Sequence, residues 1–210
     1  MESITIDFTV EDIPPDINLS PKMYFMAAYG DLNGAAFYTG FQTNVHHPES
    51  ESGWMGKGAI FSRWDERDLE YVRTAPGGWS VSSGSEGDFI SVRQRFEWGK
   101  GNYRINLFAE EPDEKGEWFG VEVENLDTKE SAWIGSIRFP FKPDSEKTTF
   151  WLITTHECYG YGKLNLDDIP HWKIKMEMPL INGDIAPFQI RTRYNELVPH
   201  TNVSFDDESK

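Results

Sequence analysis

Alternation with a period of two runs through this chain, and it leaves few folds open. Over residues 2–10, Ile4, Ile6, Phe8 and Val10 fall on one face of an extended segment, with Ser3, Thr5, Asp7 and Thr9 on the other. Side chains alternate across a pleated strand, so this pattern marks a strand with one face buried. The signature returns over 89–98, 103–109, 117–124 and 171–178. In 89–98, Phe89, Ser91, Arg93 and Arg95 oppose Ile90, Val92, Gln94, Phe96 and Trp98. Shorter runs over 22–29, 37–43, 59–64, 131–139, 148–155 and 187–198 also read as strands, and 69–74 reads as a strand or a short helical turn. Turn residues separate the runs: G-D-L-N-G at 30–34, the polar stretch 44–58, A-P-G-G-W-S at 75–80, S-S-G-S-E-G at 82–87 and G-K-G-N at 99–102. No stretch sustains a helical period. About a dozen short strands punctuated by turns point to an all-β fold, an antiparallel β-sandwich.

The length of 210 residues suits one domain. That domain is placed over 1–203, with the acidic tail 204–210 read as disordered. No fixed-period repeat or linker interrupts it. Cys158 is the single cysteine, so no internal disulfide can form, and the core must come from the 38% of residues that are hydrophobic. The net charge of −15 argues against a nucleic-acid partner, because a phosphate backbone needs a basic footprint, and against anionic membranes. No apolar run reaches the ~20 residues of a membrane helix. The opening M-E-S-I-T-I-D-F lacks the pattern of a signal peptide, as expected of a cytoplasmic chain or of a secreted domain without its leader. No glycine-rich phosphate loop opens a helix, and no G-x-S-x-G elbow is present.

The aromatic content is 14%, and the block 37–98 interleaves rings with polar groups. Tyr38, Trp64 and Trp79 are able to stack on sugar rings, while Gln42, Asp65, Glu86 and Arg93 are able to bond hydroxyls. These residues make a carbohydrate ligand bound on one concave face the leading expectation. A second reading makes Asp65 and Glu86 an acid/base pair of a glycan hydrolase or lyase. A third takes the rings as core of a structural or small-hydrophobic-ligand module, with Asp65 and Glu86 in turns. His46, His47, His156 and Cys158 match no zinc spacing, so no metal site is expected from them. No cofactor is expected, with a structural calcium on Asp65, Glu66 and Asp68, or on Asn165, Asp167 and Asp168, left open. Cys158 with His156 or His171 lacks an activating motif and reads as a small buried hydrophobe. Tyr159, Tyr161, Trp151 and Trp172 offer either a second aromatic platform or the closure of a sandwich end.

The ordered pieces Y-T-G-F-Q, I-F-S-R-W-D, G-S-E-G and F-E-W-G-K-G-N-Y-R resemble the family called domain of unknown function 3472, over about residues 23–140. The resemblance implies a concanavalin-like jelly roll and an association with polysaccharide use. It carries over Gln42, Trp64, Asp65, Glu86 and Trp98. Phe41 and Asp88-Phe89 depart from the family pattern.

Overall fold

A computed structural model describes residues 2–13, 22–84, 87–141, 152–159, 171–185 and 204. The strands are β1 (Ser3–Asp12), β2 (Lys22–Leu32), β3 (Ala35–Gln42), β4 (Gly58–Trp64), β5 (Val72–Thr74), β6 (Trp79–Ser83), β7 (Phe89–Arg95), β8 (Gly101–Ala109), β9 (Glu117–Asn125), β10 (Ser131–Phe139), β11 (Leu152–Tyr159), β12 (Lys173–Met176), β13 (Leu180–Ile181) and β14 (Asp184–Ile185). A 3-10 turn spans Leu69–Tyr71. Sheet I runs β14-β13-β1-β8-β9-β10-β5, with β12 also pairing β1, and sheet II runs β11-β2-β3-β4-β7-β6. Strand pairing is antiparallel in both sheets.

The two sheets face each other across one core, as the alternation requires. Sheet I contributes Ile4, Ile6, Phe8, Tyr103, Ile105, Leu107, Val121 and Val123, and sheet II contributes Phe25, Phe37, Phe41, Phe61, Ile90 and Val92. Phe8 sits at the junction, with ring centroids 4.8 Å from Phe25, 5.4 Å from Phe41 and 5.7 Å from Tyr103. The all-β sandwich expected from the alternation is therefore the observed fold. Among the described residues no helix is long and apolar enough to cross a membrane.

The strand boundaries differ from expectation in instructive places. The break read at 30–34 is narrower, because β2 runs through Leu32 and the reversal needs only Asn33 and Gly34. Both take positive φ, 54° and 85°, the geometry of a two-residue hairpin turn that matches strand twist. Asn182 and Gly183 (φ 52° and 84°) make the same kind of turn between β13 and β14. The stretch 75–87, read as loop, contains β6, where Trp79 and Val81 are buried. Its serines and glycines hide a period of two that only two large residues report. Both readings of 69–74 hold, the 3-10 turn leading directly into β5. The loop read as exposed at 44–58 is partly a packed hairpin. Val45 is fully buried, its N–H donates to the Gly56 carbonyl at 2.7 Å, and the Met55 N–H returns to the Val45 carbonyl at 2.9 Å. The strand read at 148–155 is described only from 152 on and continues to Tyr159. The one read at 187–198 and nearly all of the tail lie outside the described residues.

In β10 the register shifts between Trp133 and Gly135. Trp133 faces outward, Ile134 is buried in the core, and Ser136 then pairs outward-facing Gly120 while Ile137 returns to the core. Gly135 has φ 135°, and a Cβ there would lie 2.6 Å from the Arg73 carbonyl oxygen and 2.8 Å from Val92 Cβ. Only glycine lets β10 approach β5 and β7 this closely.

Candidate functional site

Sheet II carries a second set of rings on the face turned away from the core. The cause is strict alternation. On β3, Phe37 and Phe41 point inward, so Tyr38, Gly40 and Gln42 point out. On β4, Ala59 and Phe61 point inward, so Ile60, Ser62 and Trp64 point out. On β7, Ile90 and Val92 leave Phe89, Ser91 and Arg93 outside. Cross-strand pairing lines these up. One row reads Tyr38, Ser62, Ser91 and Val81, and the next reads Gly40, Ile60, Arg93 and Trp79. Gln42 stands at the end of the face, opposite Tyr24. The structure thus places Tyr38, Gln42, Trp64, Trp79 and Arg93 on one face of one sheet, with small residues along its centre.

These residues are far less open than a ligand face expected from sequence. Tyr38, Trp79 and Arg93 are only 8%, 8% and 7% exposed. Tyr38 packs against Tyr24 and Trp64 with centroids 5.8 and 5.7 Å away, and Trp64 meets Phe89 at 5.7 Å. Trp79 and Arg93 fasten the loop 44–57. The Trp79 indole N–H donates to the His46 carbonyl at 2.9 Å, and Arg93 Nη1 donates to the same oxygen at 3.0 Å. Arg93 Nε donates to Ser91 Oγ at 3.0 Å. The His47 ring stacks on Trp79 at 4.7 Å, and His46 meets Trp54 edge-on at 5.2 Å. Trp79, read from sequence as part of a turn, reaches this face because β6 pairs with β7, and the packing of the loop onto it and Arg93 was not legible in the alternation.

The half-buried and exposed members are Gln42, Trp64 and Asp65. Asp65 ends β4 in the left-handed region (φ 58°), which aspartate tolerates, and its N–H donates to the Asp88 carbonyl at 2.8 Å. Gly87 lies over Trp64, where a Cβ would come within 3.2 Å of the ring. Glu86 lies outside the described residues, so its separation from Asp65 is not defined. On this face Ser62 Oγ and Trp64 Nε1 are shielded from water and meet no hydrogen-bond partner among the described residues. Trp98, carried over by the resemblance, is core. It stacks on Phe41 at 5.4 Å and donates its N–H to the Gln42 carbonyl.

At the same end of β4, the inward-facing Arg63 is buried beside Arg138. Burial pulls the Arg63 guanidinium below its ordinary pKa, offset by Glu66, 3.5 Å away. Arg138 lies over the Tyr71 ring at 3.9 Å and bonds Asp113 at 2.9 Å. This cluster pins the sandwich edge.

Among the described residues, no group of three His, Cys, Asp or Glu could hold a metal ion. Of the calcium candidates, Glu66 and Asp68 spend carboxylate oxygens on backbone N–H groups of their own turn. Asn165, Asp167 and Asp168 lie outside the described residues, as do Trp151 and Tyr161. His156 and Cys158 occupy alternate positions of β11, opposite Phe25 and Met23. Trp172 packs edge-on against Phe25 at 6.3 Å.

The sequence reading passed over one surface. A shallow depression of about 240 Å³ on the outer face of sheet I is lined by Thr5, Arg104, Asn106, Glu122 and Glu124. Its residues are those assigned to the solvent side of each strand, which alternation alone marks as ordinary surface.

No known family model matches the chain, and no curated protein sequence matches it.

Proposed function

We propose that this chain is a non-catalytic β-sandwich that binds a glycan on the outer face of sheet II, at the end formed by Tyr38, Trp64 and Asp65. One observation carries the reading. Outside the core that already holds the sandwich together, sheet II bears a further layer of rings flanking small residues, with Ser62 Oγ and Trp64 Nε1 left unpaired within it. A shielded polar group without a partner costs about 1–3 kcal/mol, which a ligand hydroxyl entering between the covering rings would relieve. A pyranose presents an apolar face to an indole and hydroxyls around its rim, so it suits both features. The jelly-roll form implied by the family resemblance, and its association with polysaccharide use, agree with this reading.

The test is retention on immobilised polysaccharides and on a glycan array. The wild-type chain should be retained on at least one glycan, with Trp64→Ala and Tyr38→Ala weakening retention while the far-UV circular dichroism stays unchanged. Absence of any retained glycan, or full retention by Trp64→Ala, defeats the proposal. Turnover of the bound glycan that vanishes in Glu86→Gln would replace it with the enzyme reading.

A further inference from the structure

We propose a second saccharide site on the outer face of sheet I, one selective for amine-bearing sugars, and separate from the face assigned above. Thr5, Asn106, Glu122 and Trp133 stand in a single cross-strand row over β1, β8, β9 and β10. Strands lie about 4.8 Å apart, so the row crosses roughly 14 Å of sheet. Leu180 extends it on β13. The neighbouring row is Asp7, Arg104 and Glu124. Thr5, Asn106 and Glu122 of the first row and Arg104 and Glu124 of the second line the depression, and Trp133 continues the first row beside Glu122. Phe108 borders it, its ring so close over Gly120 that a Cβ there would lie 2.7 Å from it.

Trp133 makes this more than a solvated polar sheet. The indoles of Trp79, Trp98 and Trp118 each donate to a defined acceptor. Trp133 is half-buried on the outer face, and among the described residues its ring takes part in no aromatic, cation–π or hydrogen-bonding contact. Alternation along β10 turns this ring outward and Ile134 into the core, and the bulge that follows keeps Ile137 on the core side as well.

The charges beside it are unequally matched. Arg104 is committed to Asp7 through two hydrogen bonds of 2.7 Å each. Glu124 has Lys129 at 3.8 Å. Glu122, directly opposite Trp133, has no cationic partner among the described residues. An ammonium group placed between that carboxylate and the indole gains from both, through charge attraction and cation–π contact. The net charge of −15 draws a cation towards the face. Asn106 accepts the Thr5 hydroxyl at 3.1 Å through its carbonyl and keeps its amide N–H groups for ligand hydroxyls. A pyranose bearing a free amine meets these groups together: ring face on Trp133, ammonium on Glu122, hydroxyls on Asn106 and Glu124.

The experiment is calorimetric titration of the full chain with a soluble glucosamine oligomer and with its N-acetylated counterpart. The free-amine oligomer should bind, with affinity falling as salt rises, and the acetylated one should bind at least about tenfold more weakly. Glu122→Gln and Trp133→Ala should each lose about tenfold, Trp133→Phe less, and Trp64→Ala nothing. Circular dichroism confirms that each variant is folded. Equal binding of both oligomers, wild-type affinity in Glu122→Gln and Trp133→Phe, or no binding at all overturns the proposal. A lysine-rich peptide that binds as tightly as the oligomer overturns its saccharide part. Loss in Trp64→Ala alone would assign the sugar to sheet II instead.

Discussion

Replacing Gly135 with alanine should destabilise the sandwich far more than the same change at Gly34, and the difference measures how tightly β10 is pressed against its neighbours. Both glycines have positive φ, 135° and 85°. At Gly34 an added Cβ meets nothing within 4 Å, so only the backbone penalty applies, about 1–2 kcal/mol. At Gly135 the backbone region is all but restricted to glycine, which costs about 1–3 kcal/mol. The Cβ would also collide with the Arg73 carbonyl oxygen and Val92. Backbone and side chain of two different strands would have to move, an overpacking cost of typically 1–3 kcal/mol. The expected loss at Gly135 is therefore about 4 kcal/mol, a large share of the ~5–15 kcal/mol of a typical domain. Urea unfolding followed by far-UV circular dichroism gives both values, with Gly34→Ala as the internal control. Equal losses at the two positions would show that β10 can relax away from β5 and β7.

Arg93→Met should cost about 1.5–3 kcal/mol of unfolding free energy, the usual worth of charged hydrogen bonds, because the side chain holds the His46 carbonyl and Ser91. It should also raise hydrogen exchange in the loop 44–57, and unchanged exchange there would refute the anchoring role. The Asp113 carboxyl is held well below the usual carboxylate range, first by the Trp118 indole N–H, then by the Lys115 backbone N–H and Arg138, against a desolvation effect that raises it. A depressed folded pKa stabilises above the unfolded value of about 4 and ceases to as pH falls through the folded value. Asp113→Asn should therefore flatten the fall of melting temperature between pH 5 and pH 2 (on the order of the carboxylate range), and an unchanged acid limb would rule that out. Asp65→Asn, exposed and without an ion pair among the described residues, should leave stability within about 0.5 kcal/mol by urea unfolding.

Alternation was enough to determine the sandwich. A run such as 2–10 can bury Ile4, Ile6, Phe8 and Val10 together only as a strand, and enough such runs can bury their apolar faces only by closing two sheets on one another. It also put Tyr38 and Gln42 on one side of their own strand, while the register that brings Trp64 and Arg93 to the same face came from the strand pairing. Three things were decided by the tertiary structure. The loop 44–57 folds down onto Trp79 and Arg93, a long-range contact with no local trace in either segment. Strand β6 forms because β7 offers it an edge, overriding a Gly- and Ser-rich composition that favours loop. The bulge at Gly135 puts Ile134 and Ile137, three positions apart, on the same core side, and its φ together with the close approach of Arg73 and Val92 makes that glycine necessary. A period of two states which residues share a face; which faces meet solvent, a loop or another sheet depends on contacts between segments far apart in the chain.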